Sequence, residues 1–242
     1  MSTWLFDLGN TRLKCAELRD GKAGPVHALP YATGSMGTLL AGILPMHLDI
    51  AHVASVATAS RRVDLLEALT RHCGRIELAR TQARFDGLRI AYADPARLGV
   101  DRFLAMLGAR RQVQGAVLVC SVGTAITLDL VDAEGIHRGG RIAPSPALMR
   151  EALHARAPQL PAEGGAWVDW ALDTDDALAS GCQSAALALI DEAHASARRC
   201  LDGEVRLLLH GGGVEPVVAR RPDALHVPAL VLDGLAAWAS SG

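Results

Sequence analysis

Twice in this chain, apolar and polar residues alternate on both sides of a short glycine turn. From Thr3 to Gly24, TWLFDLGNTRLKCAELRDGKAG reads as a strand over Trp4–Asp7, a Gly-Asn turn, a return strand over Leu13–Leu18 and an Asp20-Gly21 hairpin turn. From Val117 to Pro144, VLVCSVGTAITLDLVDAEGIHRGGRIAP repeats the plan: strand, Gly-Thr turn, strand, acidic-Gly turn, third strand. With Gly9 laid on Gly123, Asp7 falls on Ser121, Thr11 on Ala125, Asp20 on Glu134 and Gly21 on Gly135. The coincidence points to a duplicated β-hairpin unit. Two unrelated hairpins with ordinary glycine turns would give the same spacing.

The remaining pattern predicts alternating helices and strands. A further strand is predicted over Val26–Leu29, a helix over Ser35–Leu44, a buried strand over Ile50–Val56, a helix over Ser60–Arg71 and a strand over Arg75–Ala79. Residues 81–100 read as loop and lead into a helix over Asp101–Val113. Beyond the second hairpin unit come a short helix over Ala147–Arg156, a polar loop to Trp170 and a long helix over Thr174–Arg199. Thr174 is its predicted N-cap, with Asp175 and Asp176 suited to the first turn. A strand over Val205–Leu209, a Gly211–Gly213 turn into another helix, and a last helix over Leu230–Ser240 complete the chain. The expected class is α/β: two similar lobes, 1–115 and 116–242, with a central cleft between them.

Composition narrows the function classes. The 242 residues suffice for one large or two ordinary domains with a real core. A net charge of −2 implies no basic face, and aromatics at 4% leave little for base stacking, so nucleic acid is not expected as a partner. The five cysteines form no CxxC or Cys/His cluster, and the nine histidines include no HExxH pair. Reduced thiols in a cytoplasmic protein follow as the expectation. No leader is expected at the N-terminus, and no apolar run approaches the roughly 18 residues a membrane span needs.

Four stretches carry candidate chemistry. In DLGNTRLK, Asp7 to Lys14, a carboxylate ends a strand, a glycine turn follows and a lysine stands on the return strand. The carboxylate suits Mg2+, and the turn N–H groups and the lysine suit phosphate. In LGVDRF, Leu98 to Phe103, Asp101 at a helix start is either a cap or a general base, and Arg102 either a surface residue or an anion clamp. VGTAITLD, Val122 to Asp129, is a second phosphate turn in which Thr124 offers a hydroxyl and an N–H. LLLHGGG, Leu207 to Gly213, is a strand feeding a glycine-rich helix start, a natural seat for a nucleotide or a plain connection.

Together these stretches resemble the type III pantothenate kinases, in the superfamily of actin, the heat-shock ATPases and the sugar kinases. The resemblance spans almost the whole chain. It rests on DLGNT with its lysine, on YADPARLGVDR from Tyr92 to Arg102, on GTAITLD, on GGRIAPS from Gly139 and on DTDDALASG from Asp173. It implies duplicated ribonuclease-H-like lobes and ATP-dependent phosphorylation of pantothenate to 4'-phosphopantothenate, the first step of coenzyme A biosynthesis. It makes Asp7, Leu8, Gly9, Asn10, Thr11, Arg12, Leu13 and Lys14 the first ATP phosphate motif, with Asp7 near Mg2+, and Thr124 an ATP contact. It makes Tyr92, Gly99, Val100, Asp101, Arg102 and Thr174 the pantothenate contacts, with Asp101 the catalytic base. The long helix from Thr174 would build much of a homodimer interface.

Two positions depart from the family. An aspartate that holds a monovalent cation, K+ or NH4+, is replaced by Ser121, so no such requirement is expected unless Asp129 compensates. Ser145-Pro146 stands where the family tends to have Pro-Gly. The competing readings are another small-molecule kinase of the superfamily, such as a sugar kinase, and a catalytically weak regulatory relative that binds nucleotide.

Overall fold

A computed structural model describes residues 2–31 and 35–241. The chain forms two compact units, Met1–Gln112 with Ala229–Gly242, and Val113–Pro228.

The first unit opens with β1 (Thr3–Leu8) and β2 (Arg12–Arg19), followed by β3 (Lys22–Ala23), β4 (His27–Pro30), α1 (Met36–Leu40), β5 (Leu48–Ser55), α2 (Ala59–Thr70) and β6 (Cys73–Leu78). A small hairpin, β7 (Arg84–Phe85) and β8 (Leu88–Arg89), and a 3₁₀ turn over Pro95–Arg97 lead to α3 (Val100–Gln112). The sheet runs β3-β2-β1-β5-β6, with β4 also on β2. β1 and β2 are antiparallel, whereas β1, β5 and β6 are parallel.

The second unit repeats this plan. It contains β9 (Val117–Val122), β10 (Ala125–Val131), β11 (His137–Pro144), α4 (Pro146–Arg156), α5 (Thr174–Leu201), β12 (Arg206–His210), α6 (Glu215–Arg220) and β13 (Leu225–His226). Its sheet runs β11-β10-β9-β12-β13, again an antiparallel hairpin continued by parallel strands. The repeat read from the two glycine turns is thus a repeat of topology.

The gap-free alignment holds only up to the turns. In the first unit Leu8 pairs with Leu13 and Gly9 N–H donates to the Arg12 carbonyl at 3.2 Å. In the second, Val122 pairs with Ile126 and Gly123 N–H donates to the Ala125 carbonyl at 3.0 Å. The second turn is one residue shorter. Asp7 therefore corresponds to Ser121 as expected, but Lys14, which faces Asp7, corresponds to Thr127, which faces Ser121.

The last helix, α7 (Leu230–Ser240), belongs to the first unit. The expected division into 1–115 and 116–242 therefore changes at its C-terminal end. The physical reason is a close helix pair. A Cβ on Gly234 would overlap the Leu104 carbonyl, and one on Gly108 would overlap the Leu230 carbonyl, so the two glycines let the backbones of α3 and α7 approach.

Alternation sets the two faces of each sheet. Trp4, Phe6, Leu8, Leu13 and Cys15 pack with Met36, Leu40, Leu65 and Leu69 from α1 and α2. In the second unit Leu118, Cys120, Val122, Ile126 and Leu128 pack against Ala186, Ile190 and Ala193 of α5.

Several predicted ends move. The helix expected over Ser35–Leu44 is regular only over Met36–Leu40, capped by the Ser35 hydroxyl, and gives way to turns before Pro45. Asp173, not Thr174, is the N-cap of α5: its carboxylate accepts from Asp176 N–H at 2.9 Å, and Thr174 is the first helical residue. Ser145-Pro146 starts α4, with the Ser145 hydroxyl accepting from Leu148 N–H at 3.2 Å. No helix among the described residues is long and apolar enough to cross a membrane.

Candidate active site

The first unit concentrates most of the predicted site residues. β1 delivers Asp7 to the sheet edge, and the ladder sets Lys14 opposite it. Burial drives the Asp7 carboxyl up to about 7; Lys14 works against this rise and Asp101 adds to it. Asp101 is thus an electrostatic neighbour of Asp7. Burial also lowers the Lys14 ammonium, against the pull of Asp7 and with the help of Arg12.

The turn between them is braced from behind. The Tyr31 hydroxyl donates to the Gly9 carbonyl at 2.7 Å, and Arg61 donates to the Asn10 carbonyl. The Arg61 guanidinium lies 4.1 Å from the centre of the Tyr31 ring. With two of its carbonyls held this way, the turn keeps a set shape for offering N–H groups to an anion. Leu8 and Leu13 are fully buried in the core, so only their backbones remain to a ligand. Thr11 and Arg12 are exposed. Sequence reasoning missed Tyr31 and Arg61, and no local pattern could have found them, since the contacts span 22 and 51 residues.

Asp101 stands in the first turn of α3. Its Oδ1 accepts from Arg102 N–H at 2.8 Å. A Cβ on Gly99 would lie 2.6 Å from the same oxygen, so glycine leaves the room that this carboxylate occupies. Arg102 is only 7% exposed, and its guanidinium donates to the Tyr92 hydroxyl at 3.3 Å. The approach is held by Asp94, which caps the 3₁₀ turn through Ala96 N–H at 3.0 Å, and by the Thr81 hydroxyl, which donates to the Leu98 carbonyl at 2.8 Å. The structure therefore brings Tyr92, Gly99, Val100, Asp101 and Arg102 into one segment, with Asp101 an electrostatic neighbour of Asp7.

The second unit carries the other predicted residues. Gly123 and Thr124 are exposed at the tip of the β9–β10 turn. Beside it, Gly213 N–H donates to the Val122 carbonyl at 2.9 Å, and Gly211, at φ +108°, lies where a Cβ would overlap the Val122 backbone. The triple glycine is thus a close backbone contact with the second phosphate turn. Thr174 is exposed at the start of α5.

Among the described residues no group of three or more His, Cys, Asp or Glu side chains forms a metal cage. Asp7 suits a Mg2+ that takes its remaining ligands from phosphate and water, as that ion commonly does. Ser121 does not fit a monovalent cation in the same way. It faces Thr127 on β10 and His210 on β12, which offers hydroxyl and imidazole groups and no carboxylate. Asp129 shares its sheet face, but it is buried and its Oδ1 lies 3.0 Å from the buried His137 Nε2. Asp129 is committed to that partner and is a poor substitute.

Comparison with known proteins gives the family and the fold. The sequence profile of the family described as type III pantothenate kinase matches residues 4–196. The type III pantothenate kinase of Xylella fastidiosa (strain M23) is 53% identical over 240 residues, covering 99% of this chain and 98% of that relative. Among solved structures, a Campylobacter jejuni protein described as a Baf family transcriptional activator has a TM-score of 0.60 at 18% identity, covering 96% of this chain and 94% of its own. A Sinorhizobium meliloti protein described as a 2-dehydro-3-deoxygalactonokinase has a TM-score of 0.56 at 16% identity, covering 98% and 99%. These two likenesses, at low identity, are likenesses of fold. A profile match across most of the chain and a full-length relative at this identity make the chain a member of the type III pantothenate kinases.

Proposed function

We propose that this protein transfers the γ-phosphoryl group of ATP to the primary hydroxyl of pantothenate, giving 4'-phosphopantothenate and ADP, the first step of coenzyme A biosynthesis. The observation that carries the reading is Asp101, held by Gly99 and the first turn of α3 beside the Asp7–Lys14 strand end. A carboxylate that receives a proton there stands next to a lysine and a glycine turn suited to phosphate.

The mechanism asks mainly for positioning and charge neutralisation. Asp101 accepts the proton of the attacking hydroxyl or orients it along the line of transfer. Lys14 and the N–H groups of the Gly9–Thr11 turn offset phosphate charge, and Thr124 supplies the corresponding contact from the second turn. Tyr92, Gly99, Val100, Arg102 and Thr174 contact pantothenate. Mg2+ would be held at Asp7, where it supplies further neutralisation of the phosphates. No role for K+ or NH4+ follows from Ser121.

A cytoplasmic homodimer completes the reading. Between α4 and α5 runs an apolar groove of about 700 Å3, lined by Leu148, Met149, Leu153, Leu178 and Cys182. Gly181 on its wall has nothing within 4 Å of where a Cβ would stand. A second copy seated there would bury apolar surface otherwise left in water; a monomer by light scattering at assay concentration would contradict it. The five cysteines form no disulfide, in keeping with a reducing compartment. The test of function is ATP-dependent conversion of pantothenate by purified protein, followed by ADP release and by the mass of the product. Absence of both would refute it.

A further inference from the structure

We infer that Arg220 is a positioning residue for pantothenate: through Trp167 it fixes the strap between α4 and α5, and with the strap it fixes Thr174. The inference rests on the pantothenate reading above, in which Thr174 contacts the substrate, and assigns to it two residues that neither the motifs nor the family resemblance named.

Residues 157–173 join α4 to α5 without helix or strand. Backbone groups in such a segment have no ladder to join, so other partners must serve them. Here the side chains of the flanking helices do so. From α4, Arg150 donates to the Gly164 carbonyl at 2.6 Å. From α5, Asp176 accepts from Ala166 N–H at 2.7 Å, and the Ser180 hydroxyl accepts from Val168 N–H at 2.9 Å and donates to the Ala166 carbonyl at 3.3 Å. One turn further on, the Ser184 hydroxyl accepts from Trp167 Nε1 at 3.1 Å. Asp176, Ser180 and Ser184 are spaced four apart, so the strap lies along one face of the first half of α5. It also reaches the first turn of that helix. Gly165, at φ +73°, lies where a Cβ would stand 2.2 Å from the carbonyl oxygen of Asp175, the residue after Thr174.

Arg220 of α6 closes the grip from the other side. Its guanidinium lies 4.0 Å from the centre of the Trp167 ring, and its Nη2 donates to the Trp167 carbonyl at 3.4 Å. The base of this contact is itself fixed, because the next residue, Arg221, donates to Asp191 of α5 at 2.5 Å and to Asp223 at 2.7 Å. Trp167 is therefore held by its indole N–H to α5 and by its ring face and carbonyl to α6. An exposed cation–π contact adds little to stability. A substrate contact displaced by a fraction of an ångström loses much of its effect. Thr174 opens α5 and is exposed, so its place depends on how firmly the first turn is held. The strap holds that turn at Asp175 and Asp176, and Arg220 holds the strap.

The experiment measures initial rates against pantothenate and against Mg·ATP for the full chain and for Arg220→Ala, Arg220→Lys, Thr174→Ala and the Arg220→Ala, Thr174→Ala double variant, with folding checked by thermal melt. We expect Arg220→Ala to raise KM for pantothenate about three- to tenfold, with kcat and KM for ATP changed by less than about twofold. Arg220→Lys keeps a cation over the ring and restores most of the loss. In the Thr174→Ala background the effect of Arg220→Ala disappears, which a general loosening of the fold would not produce. If Arg220→Ala does not fold, Arg220→Gln in the two backgrounds decides. An equal rise in both backgrounds, a rise in KM for ATP instead, or no rise at all overturns the inference and leaves the pantothenate reading intact. A Thr174→Ala variant with unchanged KM for pantothenate overturns the inference together with the Thr174 contact. A wild-type protein inactive on pantothenate overturns the inference and the functional reading together.

Discussion

Asp7 faces Lys14 directly across the β1–β2 ladder, and burial shifts both away from their charged forms. The Asp7 carboxyl is raised to about 7, so it binds a proton more tightly in the folded chain than in the unfolded one. Its contribution to stability is therefore full below the ordinary carboxylate range and is lost as pH rises through about 7. Asp7→Asn removes that dependence. The variant should be more stable than wild type at pH 8, by an amount of the order of 1–3 kcal/mol, with the gap narrowing through pH 5 and closing only below about pH 4. Its kinase activity should be lost. Thermal unfolding at the two pH values without nucleotide checks this, and a gap that widened at low pH would contradict it. In the wild type, kcat/KM should fall as pH drops through about 7, because Asp7 must be ionised to hold Mg2+.

Gly99 leaves space for the Asp101 carboxylate, and a methyl group there would press on Oδ1. Gly99→Ala should lower kcat by roughly 10- to 100-fold through misplacement of the base, with KM for ATP little changed. Steady-state kinetics check it. Full kcat would mean that the carboxylate finds another productive position.

Tyr31 and Arg61 hold the first phosphate turn by its carbonyls. Tyr31→Phe removes one hydrogen bond of about 0.5–1.5 kcal/mol, so KM for ATP should rise roughly two- to tenfold. Arg61→Ala should have a similar effect, and the double variant should lose less than the sum, since Arg61 also stacks on the Tyr31 ring. Nucleotide titration of the four proteins measures the coupling, and strict additivity would argue against a shared brace.

Ser121 supplies a hydroxyl where a cation site would need a carboxylate, and Asp129 is paired with His137. Initial rate should be insensitive to KCl when tetramethylammonium chloride matches the ionic strength, while Mg2+ remains essential. Saturable activation by K+ alone would show a cation site built without that aspartate. Ser121→Asp should create K+ dependence by adding negative charge beside the phosphates.

Much of this was legible in the sequence, for local reasons. Alternation and turn chemistry act between near neighbours, so both hairpin units could be read directly. The register after the glycine turns could not, because one residue more or less in a turn changes no alternation that is visible beforehand. Asp173 and Thr174 are both good caps and adjacent, and composition alone does not choose between them. The β7–β8 hairpin carried its signal in Asp86-Gly87, both at positive φ, inside a stretch read as loop. The return of α7 to the first unit depends on Gly108 meeting Leu230 and Gly234 meeting Leu104, contacts between residues far apart in the chain. Tyr31 and Arg61 were invisible for the same reason: folding brings them to the turn, and no motif marks them.

The account depends most on Asp101 as the group that handles the proton of the attacking hydroxyl. The direct measurement is the initial rate of pantothenate phosphorylation by Asp101→Asn beside wild type, with pantothenate and Mg·ATP both saturating and folding verified by thermal melt. Asparagine keeps the size and the hydrogen bond from Arg102 N–H but removes the basicity. The predicted result is a kcat lower by about 10²–10⁴ with the nucleotide still bound. A variant turning over at close to the wild-type rate would contradict the assignment.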